Sequence, residues 1–175
     1  MKRSTIVLIS LFGIAALTTL PWSGSASATS SKGRPYLEAT RGVVVSTTPN
    51  QITTSGIVRG TPIAYGRSSG TSASSGPPPP CSSGTAPGSG SNTTAAQSGG
   101  LVFLSYTGSV CLSSSTTVSG TYSFTGTFTI NGGTGRFAGA TGGGTLAASF
   151  TLYARPQGSQ GPLVSHARGR IFLLS

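Results

Sequence analysis

Between residues 119 and 130 the chain alternates without a break. Gly120, Tyr122, Phe124, Gly126, Phe128 and Ile130 hold the even positions, and Ser119, Thr121, Ser123, Thr125, Thr127 and Thr129 hold the odd ones. A period of two puts an apolar face and a hydroxylated face on one extended strand. Residues 145–154 repeat the pattern more weakly, with Leu146, Ala148, Phe150, Leu152 and Ala154 on one side. Residues 101–106 and 167–174 read as further strands, the latter with Ala167, Gly169, Ile171 and Leu173 on a common face. Nearer the N-terminus, residues 42–46 form a β-branched run, residues 47–50 read as a turn, and residues 51–59 carry Ile52, Ile57 and Val58. Residues 62–65 follow, interrupted by Pro62 and neighbouring glycines. No stretch beyond residue 28 has a helical period. Short strands between Gly-rich turns predict an all-β domain: a small antiparallel barrel or, alternatively, a β-sandwich.

The flanks of this pattern divide the chain. Lys2 and Arg3 precede an apolar run over residues 5–20, Pro21 breaks it, and Ala26-Ser27-Ala28 offers small residues to a signal peptidase. Residues 1–28 are therefore expected to be a signal peptide and the protein to be secreted. A transmembrane anchor is the alternative, for which the run is short. No stable membrane span is expected after cleavage. Residues 29–40 read as a flexible polar leader, and residues 41–175 as one β-domain. Within that domain residues 68–100 are low complexity, with 30 of 33 positions Ser, Gly, Pro, Thr or Ala. Such a composition buries too little apolar surface to offset chain entropy, so a disordered surface loop is expected. Pro77 to Pro80 favour local polyproline II. Asn92-Thr93-Thr94 matches a glycosylation sequon, a pattern common by chance.

Composition narrows the chemistry. Ser, Thr and Gly fill 82 of 175 positions, and Glu38 is the one acidic residue. Catalysis by paired carboxylates within one chain is excluded. One His and two Cys cannot build a metal site of the usual kind, and neither cofactor nor metal is expected. Cys81 and Cys111 are expected to pair in an exported protein, closing a loop of 30 residues and tying the low-complexity segment to the body. Free thiols are the alternative, but no neighbouring His or acid would activate them. The basic residues beyond the signal peptide are Lys32, Arg34, Arg41, Arg59, Arg67, Arg136, Arg155, Arg168 and Arg170. They are scattered along the chain, so nucleic acid is not expected as a partner. Loose contact with anionic cell-envelope polymers is compatible with the charge.

Residues 127–142 read TFTINGGTGRFAGATG. Asn131-Gly132 is a hairpin-turn signal, because both residues tolerate positive φ. Phe137 is expected to enter the core, and Arg136 to face solvent or bond a carbonyl. Gly133-x-Gly135-x-x-Ala138 superficially fits a dinucleotide fingerprint, but no helix can start at Gly142-Gly143-Gly144 and no acid follows. A phosphate loop would need a Lys, which is absent there. Gly132, Gly133, Gly135, Phe137, Gly139 and Gly142 are instead a structural motif. This stretch resembles the signature of allene oxide cyclase barrel-like and dirigent-like proteins, and is closer still to secreted bacterial proteins carrying GGTGRFAGATG. The tight resemblance spans residues 119–146. It implies an antiparallel barrel of about eight strands, often with a partly apolar cavity and sometimes a dimer or trimer, so an oligomer is possible. In plant members the cavity steers epoxide cyclisation or phenoxy-radical coupling.

No catalytic residue transfers by this resemblance to a numbered position. Glu38, placed in the leader, reads as a poor cavity acid. His166 reads as a surface or packing residue beside Arg168 and Arg170. Tyr106, Tyr122 and Tyr153 are candidates to line a pocket through ring and hydroxyl. The expected function is a secreted barrel holding a small hydrophobic ligand. A cyclase-type isomerase, which would need a polar group at the base of its cavity, and a structural envelope protein with a filled core are the alternatives.

Overall fold

The computed structural model describes residues 32–48, 50–154 and 159–174. The signal segment 1–28, the first residues of the leader and Arg155 lie outside the described residues. Eight strands run β1 (Arg34–Thr48), β2 (Gln51–Thr61), β3 (Ala64–Ser74), β4 (Ala86–Ala96), β5 (Leu101–Ser115), β6 (Ser119–Gly133), β7 (Thr141–Tyr153) and β8 (Gln160–Phe172). Each pairs antiparallel with its sequence neighbours, and β8 pairs with β1, so the sheet closes into a barrel with no free edge. Of the two architectures open to an all-β chain, the barrel is the one adopted. Even-numbered residues of β1, β3, β4 and β6 point inward over most of their length, which follows from strict side-chain alternation once the register is set.

The alternating faces read from the sequence sit as expected. Phe124, Phe128 and Ile130 of β6 are buried, as are Ala167 and Ile171 of β8. Outward positions of β5 and β6 meet as hydroxyl pairs, including Ser105 with Thr129, Thr107 with Thr127 and Ser109 with Thr125. Among the described residues no helix is long and apolar enough to cross a membrane. Inward glycines face one another across neighbouring strands. A Cβ on Gly126 would stand 2.2 Å from the Thr107 carbonyl oxygen, with Gly108 opposite. Close backbone approach at such pairs lets the sheet bend enough to close.

Two expectations are corrected. The first is that residues 68–100 form a disordered loop. Ser68–Ser74 complete β3 and residues 86–96 are the whole of β4, both fully laddered. Their inward residues are Ser68, Gly70, Ser72 and Ser74 on β3, and Gly88, Gly90, Asn92 and Thr94 on β4. None is large and apolar, so the period-two signal is missing even though the strands exist. The barrel supplies their burial from the opposite wall. The second concerns residues 29–40. The strand already begins at Arg34, and the alternation Tyr36, Glu38, Thr40 is directed inward with two polar members.

One end of the barrel is plugged by the family-like motif. Asn131 and Gly132 do not form the hairpin turn. They stay in β6, where Phe103 pairs with Gly132 and Leu104 with Ile130, so that Asn131 is an extra, bulged residue. Gly132 has φ of 130°, a value that favours glycine. The chain then reverses through a single 3₁₀ turn, Gly135–Phe137. Gly135 and Gly139 at φ of 58° and 67° flank Phe137 and permit the tight path. Phe137 is fully buried among Ile63, Val102, Ile130 and Ile171. Arg136 lies over the ring of Phe137, and its Nη2 donates to the Pro62 carbonyl at 2.8 Å. The Thr134 amide donates to Leu101 O at 2.9 Å, and the Leu101 amide donates back to Thr134 Oγ1 at 3.0 Å.

At the other end Cys81 and Cys111 form a disulfide. It fastens the β3–β4 connection, including the proline run, to β5. The Leu112 amide donates to Pro79 O at 2.8 Å and the Cys81 amide donates to Leu112 O at 3.0 Å. Phe137→Ala is expected to destabilise the barrel by about 3–5 kcal/mol, the usual range for emptying a buried aromatic site. Reducing the disulfide is expected to cost roughly 3–4 kcal/mol in the chain-entropy view. Urea unfolding midpoints of the variant and of the reduced and oxidised protein check both; an unchanged midpoint for Phe137→Ala would contradict the plug.

Candidate functional site

Between the Phe137 plug and the disulfide end the barrel interior holds a partly open cavity of about 140 Å³. Its walls differ. β5–β8 contribute Leu104, Val110, Phe124, Phe128, Leu146, Ala148, Phe150, Leu163 and Ala167. β1–β4 contribute Glu38, Thr40, Thr54, Ser68, Ser72 and Asn92. The lining runs from Glu38 above the plug to Ser46, Asn50, Ser74 and Pro78 at the far strand ends. The amphipathic division follows from the two halves of the sequence. The Phe and Leu side chains of the lining all come from β5–β8, whereas β3 and β4 turn only small or polar residues inward and β2 adds Ile52 to the lining beside Thr54.

Small inward residues on β3 and β4 leave space that aromatic side chains enter. Tyr106 of β5 crosses so close to β4 that a Cβ on Gly90 would meet its hydroxyl at 2.6 Å. The hydroxyl shares a hydrogen bond of 2.6 Å with Ser72 Oγ on β3. Burial pushes the Tyr106 phenol upward, partly offset by that bond. Tyr106 packs edge-on against Phe124, and Tyr122 stacks on Phe150 with ring centroids 5.2 Å apart. Of the three tyrosines singled out in the sequence, Tyr106 and Tyr122 line the cavity. Tyr153 is 43% exposed and does not.

The base of the cavity holds the one acidic side chain of the protein, and the expectation that Glu38 is a poor cavity acid is overturned. Its position on β1 turns the carboxyl inward, where it is 6% exposed. Tyr36 donates a short hydrogen bond from its hydroxyl to Glu38 Oε2. Thr40 Oγ1 donates to Oε1 at 3.2 Å, and Thr94 Oγ1, from the opposite side of the sheet on β4, donates to Oε2 at 3.4 Å. The Tyr36 ring is itself fixed against Phe128, 5.4 Å between centroids. Desolvation raises the Glu38 pKa, and the three hydroxyl donors reduce the rise. Burial and the adjacent carboxyl together push the Tyr36 phenol far up. Among the described residues no Lys, Arg or His lines the cavity, so none of them compensates the carboxylate.

Asn92 also faces inward, two residues along β4 from Thr94. Its Oδ1 is buried without a hydrogen-bond partner. The sequon Asn92-Thr93-Thr94 is thus a strand segment with its asparagine oxygen and its second threonine inside the barrel, not a surface loop. His166 is exposed on the outer face of β8, beside Ala39 of β1 and away from the cavity. The motif glycines Gly132, Gly133, Gly135, Gly139 and Gly142 shape the closed end with Phe137 and do not line the cavity.

The fold also gathers charges that are scattered in the sequence. Arg34, Arg41, Arg59, Arg67, Arg168 and Arg170 are exposed on β8, β1, β2 and β3, four adjacent strands. β4–β7 carry no charged residue at all. The outer surface therefore has a basic half and an uncharged, hydroxyl-bearing half.

A carboxyl with a raised folded-state pKa binds its proton more tightly in the native protein than in the unfolded chain. Its contribution is full below the ordinary carboxylate range and is lost as pH rises through the raised native value. Native stability is thus expected to fall with rising pH across that window, and Glu38→Gln is expected to flatten the fall. Thermal melting from pH 4 upward tests this; a wild-type slope of the opposite sign, or one untouched by the substitution, would contradict the buried acid. No protein-family model matches the chain, and no curated protein matches its sequence.

Proposed function

We propose that this protein is an exported barrel that binds a small amphiphilic molecule in its cavity. The observation that carries the reading is one partly open cavity whose β5–β8 wall is largely apolar and whose β1–β4 wall bears hydroxyls and the acid. Eight-stranded barrels have an interior just wide enough to be filled by side chains or to hold one small ligand. Here the inward glycines and serines of β3 and β4 leave it unfilled. The volume fits a single ring or a short chain, since an apolar cavity of about 150 Å³ accommodates benzene. The disulfide supports export, because such bonds persist in oxidising compartments.

A cyclase-type isomerase is the second reading, and Glu38 favours it. Enclosed sites with few catalytic groups act by shaping a reactive molecule, and a buried carboxyl beside a phenol supplies a proton-transfer group. The resemblance of residues 119–146 to allene oxide cyclase barrel-like and dirigent-like proteins points the same way. The cavity volume limits such a substrate to a small epoxide or a similarly compact molecule. The basic half of the exterior favours contact with anionic envelope polymers, alongside either reading of the interior.

Addition of 2-phenylethanol is expected to raise the melting temperature and to shift backbone amide resonances of Asn92, Leu146 and Ala148. Ala148→Leu narrows the cavity and is expected to weaken this binding about tenfold or more while the barrel stays folded, in line with the 1–3 kcal/mol of overpacking. Resonance shifts confined to outward residues, or equal affinity in Ala148→Leu, would refute the cavity as the binding site. Retention on an anionic polymer that falls with added salt is expected. Arg59→Glu with Arg67→Glu is expected to weaken it several-fold, and a column assay comparing this variant with wild type checks the basic face.

A further inference from the structure

We propose that the molecule held in the barrel carries a protonated amine, seated on Glu38 with its hydrocarbon part against the β5–β8 wall. This inference rests on the ligand-binding reading above and specifies the head group.

The argument is a count of donors, acceptors and charges at the base of the cavity. The hydroxyls of Tyr36, Thr40 and Thr94 all donate to Glu38, so the surrounding protein treats this carboxyl as an acceptor. An ionised carboxylate offers about four lone-pair sites, which leaves one beyond these three. Asn92 Oδ1 is a second acceptor in the same lining and has no donor. It lies one pleat repeat from Thr94, roughly 7 Å along the strand. Asn92 Oδ1 thus lacks a donor, and the one formal charge among the described lining residues is negative.

An ammonium group answers both deficits, with a positive charge and three donors. An alcohol supplies one donor and no charge. A carboxylate ligand would bring a second anion beside Glu38 in a site of low dielectric, and one of the two would have to take up a proton. Tyr36 on the same strand bonds Glu38, the other titratable groups of the described lining are Tyr106 on β5 and, farther toward the disulfide end, Tyr122 on β6, and none carries positive charge. The apolar wall and the modest volume select a compact hydrocarbon part, such as one aromatic ring on a two-carbon linker.

Three matched probes test the proposal on the intact protein by titration calorimetry: 2-phenylethylamine, 2-phenylethanol and 3-phenylpropanoate. The amine is expected to bind about tenfold or more tightly than the alcohol, as charged hydrogen bonds exceed neutral ones by that order. The carboxylate is expected to bind weakest. Glu38→Gln is expected to bring the amine down to the level of the alcohol and to leave the alcohol within about twofold of wild type.

A second measurement needs no variant. Amine affinity is expected to rise with pH as Glu38 ionises, and to fall only near the amine's own range of about 10. Alcohol affinity is expected not to rise with it. Equal binding of amine and alcohol, tighter binding of the carboxylate, or an amine affinity that does not rise with pH would overturn the head-group assignment while leaving the cavity reading intact. Failure of all three probes to bind would overturn both.

Discussion

The constraint on which this structure depends is that a closed eight-stranded barrel must fill its interior from all sides, while two adjacent strands, β3 and β4, turn no large apolar side chain inward. β5–β8 supply Phe124, Phe128, Leu146, Phe150 and Leu163, whereas β3 and β4 turn serines, glycines, Asn92 and Thr94 inward. Closure lets the two halves complement one another. Tyr106 leans across the space above Gly90 and reaches Ser72, and the tyrosine–phenylalanine pairs occupy the middle of the barrel. What the large side chains do not fill is the cavity. The same imbalance gives that cavity its two unlike walls.

Glu38 stands where these features meet. A carboxyl at the base of an apolar enclosure is costly unless its oxygens are bonded. Three hydroxyls from two non-adjacent strands meet that need, tying β1 to β4 across the interior. Tyr36 couples the arrangement to the plugged end, because its ring packs on Phe128 within the cluster that buries Phe137. The glycine-rich motif thus has a structural task, sealing one end, while the polar chemistry sits one layer above it. The candidate site and the motif are neighbours in space and distinct in their residues, which is why the motif alone named no reactive group.

The exterior follows a different division. All six arginines on the strands fall on β8, β1, β2 and β3, and the one acid of the protein is inside. No side-chain carboxylate faces outward among the described residues to offset their field. A ligand in the cavity and a polyanion on the outer face would address separate surfaces of the same sheet, since alternate residues of β1 serve each: Arg41 outward, Glu38 and Thr40 inward.

The sequence by itself determined the all-β class, the strands read over residues 119–130, 145–154 and 167–174 (of which the last two end at Tyr153 and Phe172), the burial of Phe137 and the Cys81–Cys111 pair. Each rests on a local signal: alternation at period two, an aromatic between glycines, or an even cysteine count. The tertiary structure decided the rest. β4 and much of β3 carry no local apolar signal, because their buried positions are small and gain cover only from strands distant in the chain. Asn131-Gly132 became a bulge because pairing with Phe103 and Leu104 continued past it. Glu38 changed from leader residue to cavity acid for the same reason: its neighbours Tyr36 and Thr40 are partly polar, and only closure of β1 against β8 and β2 fixes which face of that strand is inside.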